Sequence, residues 1–277
     1  MRTLSRSEMN FFRTEGYLLI EKVFGESEMD ELRSCYDHIA ELAGNPALPE
    51  IYRSAATCDV HFHIQAPEEP DPSMLSTFLR KVQWPAMFHM GFERFRLSPK
   101  LLTLVEPLIG SSLKQFINQI NFKMPGGAIE FPWHQDIRPT PAFQDQVNNY
   151  VQTIIAVDTA TVERGCVNIV PGSHTLGDLK AKRYAPGQIE QHVDVSTAVA
   201  CEAPAGSVIL FTPYTVHGST QNLSSHPRRS YINGFVRASS CSIGKWAFLD
   251  GRGVPITSDH DYGELCALLN RVVQAQT

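Results

Sequence analysis

The sequence predicts an α+β fold in which helices flank a core of short strands closed as a sandwich or barrel. Three observations predict it. After Gly110, short apolar or alternating runs follow one another, separated by Pro, Gly, Asn and Asp. Before Gly110, apolar residues recur mainly at helical spacing. Asp261 to Gln274 then sets Leu265, Leu268, Leu269 and Val272 on one face of a closing helix.

The elements follow in order. A first helix spans Ser5 to Thr14, with Ser5 or Ser7 as N-cap and a stop near Gly16. Tyr17-Leu18-Leu19-Ile20 is a short apolar strand. Gly25 to Leu42 is a second helix: Met29, Leu32, Tyr36, Ile39 and Ala43 fall at helical spacing, acids occupy its first turn, and Gly44 ends it. Residues 44–73 hold five prolines and read as a long loop, the length at which loops often act as lids. Trp84, Phe88 and Phe92 share a helical face, suited either to the core or to a substrate pocket. Pro99 to Ile109 is a further helix, closed by Gly110. Strands are expected at Leu113 to Lys123, Asn148 to Val157, Val167 to Val170, Ser207 to Phe211 and Tyr231 to Val236. Loops 138–149 and 175–190 join 44–73 as candidate pocket walls. No repeat or Gly/Ser linker divides the chain, so residues 1–277 read as one domain, with a helical part to about residue 110 and a β core over about 111–240.

Composition narrows the function classes. The 277 residues suffice to bury a core. Hydrophobic residues are 43% and charged residues 19%, which excludes a disordered or low-complexity chain. The net charge of −5 gives no electrostatic case for nucleic acid or an anionic membrane. No apolar run is long enough to span a bilayer. The six cysteines are scattered with no CxxC pair, which excludes a zinc ribbon. With no apolar signal region at the start, they read as reduced thiols of a cytoplasmic protein. The expected partner is a small molecule, and the expected state is a monomer or homodimer.

The chemistry concentrates in Phe131-Pro132-Trp133-His134-Gln135-Asp136, after the turn Met124-Pro125-Gly126-Gly127. In extended backbone, residues i and i+2 point to one face, so His134 and Asp136 can aim at one point while Trp133 points away. An imidazole and a carboxylate are two legs of the 2-His-1-carboxylate triad of non-haem Fe(II). The tripeptide alone is weak, because H-x-D arises often by chance. The best third leg is His217, after the strand ending at Phe211. Arg228 follows eleven residues later and could clamp a carboxylate through parallel hydrogen bonds. Such a triad leaves positions for a bidentate 2-oxo acid and O₂. Competing readings stay open: His174 in Pro171-Gly172-Ser173-His174, His61 and His63 near Asp59, and Arg229 in place of Arg228.

Together these segments resemble the phytanoyl-CoA dioxygenase family of Fe(II)/2-oxoglutarate-dependent oxygenases. The resemblance rests on the opening helix with Gly16-Tyr17-Leu18-Leu19-Ile20, on Trp133-His134-Gln135-Asp136, on Glu163 to His174, and on His217-Gly218-Ser219 with Arg228. It implies a double-stranded β-helix core, a cupin-like jelly roll, with Fe(II), 2-oxoglutarate and O₂ at one mouth. By position, His134, Asp136 and His217 match the family's iron ligands. Arg228 matches the residue binding the distal carboxylate of 2-oxoglutarate, with Ser219 as a second contact. Gln135, Asn121 and Thr153 are candidates for the cofactor's other oxygens, and His174 falls in a structural turn. Related halogenases carry Ala or Gly where Asp136 stands, so Asp136 implies hydroxylation or another oxidative tailoring. The expected substrate is a small organic molecule such as a secondary metabolite, with C–H oxidation coupled to decarboxylation of 2-oxoglutarate to succinate and CO₂. An oxidative cyclase or epimerase, or a non-catalytic cupin-like binding protein, are the alternatives.

Overall fold

The computed structural model describes residues 2–53, 59–65, 78–126, 128–137, 140–143, 145–179, 188–257 and 260–276. Helix α1 (Arg6–Glu15) begins where Ser5 and Glu8 form a capping box. It stops at Gly16, whose φ of 79° is left-handed and whose missing Cβ leaves room for the His174 ring. Strand β1 (Tyr17–Ile20) leads to α2 (Glu26–Gly44), which buries Met29, Leu32, Tyr36 and Ile39 at the expected spacing.

The stretch 44–73 departs from the expected loop. Glu50–Arg53 forms a 3-10 turn, and β2 (His61–Ile64) pairs antiparallel with β3 (Leu79–Gln83). Charged Arg80 and Lys81 conceal β3, because one of its faces turns to a polar cavity rather than to apolar core. Residues 54–58 and 66–73 of the expected lid lie outside the described residues, as do 138–139, 144 and 180–187 of the other two loops. Next come α3 (Met90–Arg96) and α4 (Pro99–Ile109), with Ser98 capping α4. Trp84, Phe88 and Phe92 are all buried in the main core, against the helices.

The remaining elements are β4 (Leu113–Lys123), β5 (Phe131–His134), α5 (Gln146–Asn149), β6 (Tyr150–Ala156), β7 (Asn168–Ile169), β8 (Val199–Ala200), β9 (Val208–Phe211), β10 (His217–Ser219), β11 (Arg228–Arg237), β12 (Lys245–Leu249), β13 (Arg252–Gly253) and α6 (Gly263–Ala275). They build two antiparallel sheets. The larger runs β1-β9-β6-β11-β4-β12-β13, with the β2–β3 hairpin joined to β4 through β3, and the smaller runs β5-β10-β7-β8. This is the jelly-roll, cupin-like architecture, with helices on the outside of the larger sheet.

Strand alternation sorts the side chains. On the outer face, Val151, Ile155, Val208, Leu210 and Tyr231 pack with α2, α3, α4 and α6 into one large core. On the inner face, Ile117, Ile154, Ile209, Phe211 and Ile232 meet Val167 and Ile169 of the smaller sheet. Every residue of β6 is therefore buried, which explains its nearly continuous apolar run.

A buried polar cluster locks helix to sheet. Arg96 is fully buried and holds Glu93 through two bonds of 2.6 and 2.9 Å. It also donates to Gln115 on β4 and to the carbonyls of Trp246 and Val254. Gln115 and Asn118 donate to Asn233 on β11, and Asn118 donates to Tyr231. Truncating one partner of a buried ion pair strands the other charge, so Arg96→Ala should lower unfolding free energy by about 3–5 kcal/mol. Urea unfolding measures this, and a loss below about 1 kcal/mol would show that the cluster is not what joins α3 to the sheet.

Candidate metal centre

The site arises where β5 and β10 pair. His217 stands directly opposite His134 in the antiparallel register, with ring centroids 4.2 Å apart. Asp136 lies just beyond β5, where its backbone N–H donates to the Pro213 carbonyl at 2.9 Å. One carboxylate oxygen lies 3.6 Å from His134 Nε2 and the other 3.6 Å from His217 Nε2. One donor atom from each residue lies within 4.8 Å of the other two.

The hydrogen bonds prepare these donors for a metal. His134 Nδ1 lies 2.7 Å from the Pro132 carbonyl and His217 Nδ1 lies 3.0 Å from the Thr215 carbonyl. A carbonyl only accepts, so each Nδ1 carries the proton and each Nε2 presents a lone pair. Asp136 Oδ2 accepts from Gln152 Nε2 at 3.0 Å, and Gln152 Oε1 accepts from Tyr150 Oη at 2.6 Å. Gly234 faces Gln152 across the strands, and a Cβ there would come within 2.0 Å of Tyr150 Oη. The glycine thus makes room for a relay that orients the carboxylate. Two neutral imidazoles and one carboxylate on one side form a donor set suited to Fe(II) with open positions opposite.

Beside the triad lies a cavity of about 300 Å³. Ile117, Ile154, Phe211 and Ile232 give it an apolar wall, and Gln119, Asn121, Ser219 and Arg228 give it a polar one. Arg228 is only 4% exposed. Among the described residues nothing accepts a hydrogen bond from its guanidinium and no carboxylate pairs with it. A buried, unanswered guanidinium facing a cavity is a receptor for an anion. Arg229 points to the opposite face, where Asp158 binds it through two bonds of 2.9 Å and Asp37 through a third.

The structure brings His134, Asp136, His217, Ser219, Arg228 and Asn121 to this cavity and excludes two expected residues. Gln135 is fully buried, and its amide is consumed by the carbonyls of Gly177 and Tyr214 and by Leu179 N–H. It cannot reach a cofactor, because it alternates with its neighbours to the far side of the strand. Thr153 sits between Gln152 and Ile154, which do line the cavity, and its hydroxyl donates outward to the Asn233 carbonyl at 3.0 Å. His174 holds the Arg13 carbonyl at 3.0 Å and ties α1 to its turn, away from the triad. His61 and His63 stand opposite Gln83 and Lys81 and take no part in the metal group. Sequence reasoning missed Gln152, Gln119 and Lys123. A period of two from Asn121 and Ile154 would have found all three.

The sequence profile of the phytanoyl-CoA dioxygenase family matches residues 12–230. The chain is 26% identical over 229 residues to a methylphosphonate hydroxylase of Gimesia maris, covering 82% of this chain and 79% of that one. It is 28% identical over 181 residues to a probable alpha-ketoglutarate-dependent hypophosphite dioxygenase of Stutzerimonas stutzeri, covering 58% of each. Among solved structures, it resembles the non-haem alpha-ketoglutarate-dependent carbocyclase SnoK of nogalamycin biosynthesis in fold, with a TM-score of 0.64 at 20% identity, covering 92% of this chain and 94% of that one. The chain belongs to the phytanoyl-CoA dioxygenase family. It is a non-haem Fe(II)/2-oxoglutarate-dependent oxygenase, an oxidoreductase that uses O₂.

Removing the support of a metal ligand typically costs 10–100-fold in metal affinity. Gln152→Leu should weaken Mn(II) binding by about that factor in calorimetric titration. Unchanged affinity would mean that the relay does not hold Asp136.

Proposed function

We propose that His134, Asp136 and His217 hold the iron, that Arg228 and Ser219 bind the distal carboxylate of 2-oxoglutarate, and that Asn121 contacts its other oxygens. The observation that carries this is the juxtaposition of the triad with a buried guanidinium that lacks a partner of its own among the described residues. The bound iron supplies C–H oxidation coupled to decarboxylation of 2-oxoglutarate. The chain's own work is to seat the dicarboxylate against Arg228, keep both imidazoles in the ligating tautomer, and fix the carboxylate through Gln152.

The substrate is a small, polar, anionic molecule of the phosphonate kind. The cavity of about 300 Å³ must seat the co-substrate as well, and ligand pockets run from roughly 300 to 1,000 Å³. Asp136 is its lone lining carboxylate among the described residues, whereas Lys81 lines it and His63 stands opposite Lys81 on the same sheet face. The two named relatives act, by their names, on methylphosphonate and hypophosphite, both small phosphorus oxyanions. A secondary-metabolite substrate has no residue behind it. The carboxylate ligand Asp136 favours hydroxylation or another oxidation over halogenation. We read the chain as one cytoplasmic domain, monomeric or homodimeric, and no helix among the described residues is long and apolar enough to cross a membrane.

Purified protein with Fe(II), 2-oxoglutarate and O₂ should form succinate faster when methylphosphonate or a related phosphonate is added. Product mass separates the outcomes: hydroxylation adds an oxygen, cyclisation removes two hydrogens, and epimerisation changes nothing. Stimulation by bulky apolar acids alone would overturn the substrate class. Arg228→Ala should raise the 2-oxoglutarate requirement by on the order of 10–100-fold, the worth of hydrogen bonds to a charged group. An unchanged requirement would contradict its role.

A further inference from the structure

Two basic side chains face each other beneath this cavity. Lys123 on β4 and Arg228 on β11 are direct partners in the antiparallel register, on the inner face of the larger sheet. Lys123 is 1% exposed and Arg228 is 4% exposed. Like charges directly opposite one another on adjacent strands repel, and burial deepens the cost. No ion pair answers either one among the described residues. Such a pair persists where an anion is to be received.

The bonds of Lys123 say how it acts. Its Nζ donates to Ser219 Oγ at 2.8 Å, to the Thr220 carbonyl, and more weakly to the Gly165 carbonyl at 3.4 Å. Once charged by an incoming carboxylate, the Lys123 ammonium has three protons and no lone pair, so these three acceptors use all of it. Ser219 Oγ must then accept from Lys123, and its own proton is free to point into the cavity that Ser219 lines beside Arg228. The lysine thereby sets the direction of the serine hydroxyl.

We propose that Lys123 is a positioning residue for the co-substrate, orienting the Ser219 hydroxyl to donate to the distal carboxylate and sharing the charge of that carboxylate with Arg228. This rests on the co-substrate reading given above. Burial and then the neighbouring Arg228 depress the Lys123 pKa to about 6, while Cys166 and Glu130 raise it and Arg80 lowers it further. An incoming carboxylate favours the charged form, so binding near neutral pH draws a proton onto Lys123.

The test is calorimetric binding of 2-oxoglutarate to the Mn(II)-loaded full chain, with 2-oxovalerate, which lacks the distal carboxylate, as comparison. Lys123→Met should raise the Kd for 2-oxoglutarate about tenfold and leave that for 2-oxovalerate unchanged. In a Ser219→Ala background the same change should cost less than about threefold, because the hydroxyl it orients is gone. Equal losses for both acids, or a full penalty in the Ser219→Ala background, would overturn the proposal. If Lys123→Met does not fold, wild-type protein decides: binding heats in buffers of different ionisation enthalpy at pH 7.5 should show net proton uptake with 2-oxoglutarate and none with 2-oxovalerate. Absence of uptake overturns the proposal. Arg228→Ala separates the two levels. If it leaves 2-oxoglutarate binding intact, the co-substrate reading itself fails; if it weakens binding while Lys123→Met does not, only the role of Lys123 fails.

Discussion

The antiparallel register of β5 and β10 is the constraint on which the rest of this molecule depends. It sets His217 opposite His134 although 82 residues lie between them in the sequence. A slip of one residue would turn one imidazole to the other face of the sheet, away from its partner. The register is held from both sides: Asp136 N–H is bonded to Pro213 O, and Val170 N–H to Val216 O. Paying the loop-closure entropy of so distant a pairing requires a core that both halves share. The inner cluster of Ile154, Ile169, Phe211 and Ile232 supplies it.

Around that constraint the larger sheet divides its labour by face. Outward residues of β4, β6, β9 and β11 carry stability, packed on the helices and pinned through Arg96 and Asn233. Inward residues of the same strands face the candidate site, from Gln152 behind Asp136 to Arg228 and Lys123 below the cavity. The inner face is costly by itself, since buried polar groups and like charges stand together there. A metal and a dicarboxylate would satisfy both demands, the first at the imidazoles and carboxylate, the second at the paired cations.

Much of this was legible in the sequence. The H-x-D spacing, the distant His217 and the interval to Arg228 pointed to the candidate centre, and Gly-terminated helices and apolar runs located most elements. What escaped was whatever broke the apolar pattern because it faces the site. Strand β3 reads as charged, so the prolines on its N-terminal side suggested only a loop. Gln135 and Thr153 are instructive in the opposite sense: nearness in sequence to a ligand or a strand suggested a role, but alternation turned both away. Lys123 was hidden because a lysine at a strand end reads as solvent-exposed, although its period of two from Asn121 places it on the inner face, where it is buried opposite Arg228.

The central claim is that one centre binds iron through His134, Asp136 and His217 and seats 2-oxoglutarate beside it. Anaerobic visible spectroscopy tests it most directly, because a 2-oxo acid chelating Fe(II) gives a charge-transfer band that neither gives alone. Adding 2-oxoglutarate to the Fe(II)-loaded protein should produce that band in the wild type and not in His217→Ala. A wild-type protein that shows no band, or a His217→Ala variant that retains it in full, would contradict the account.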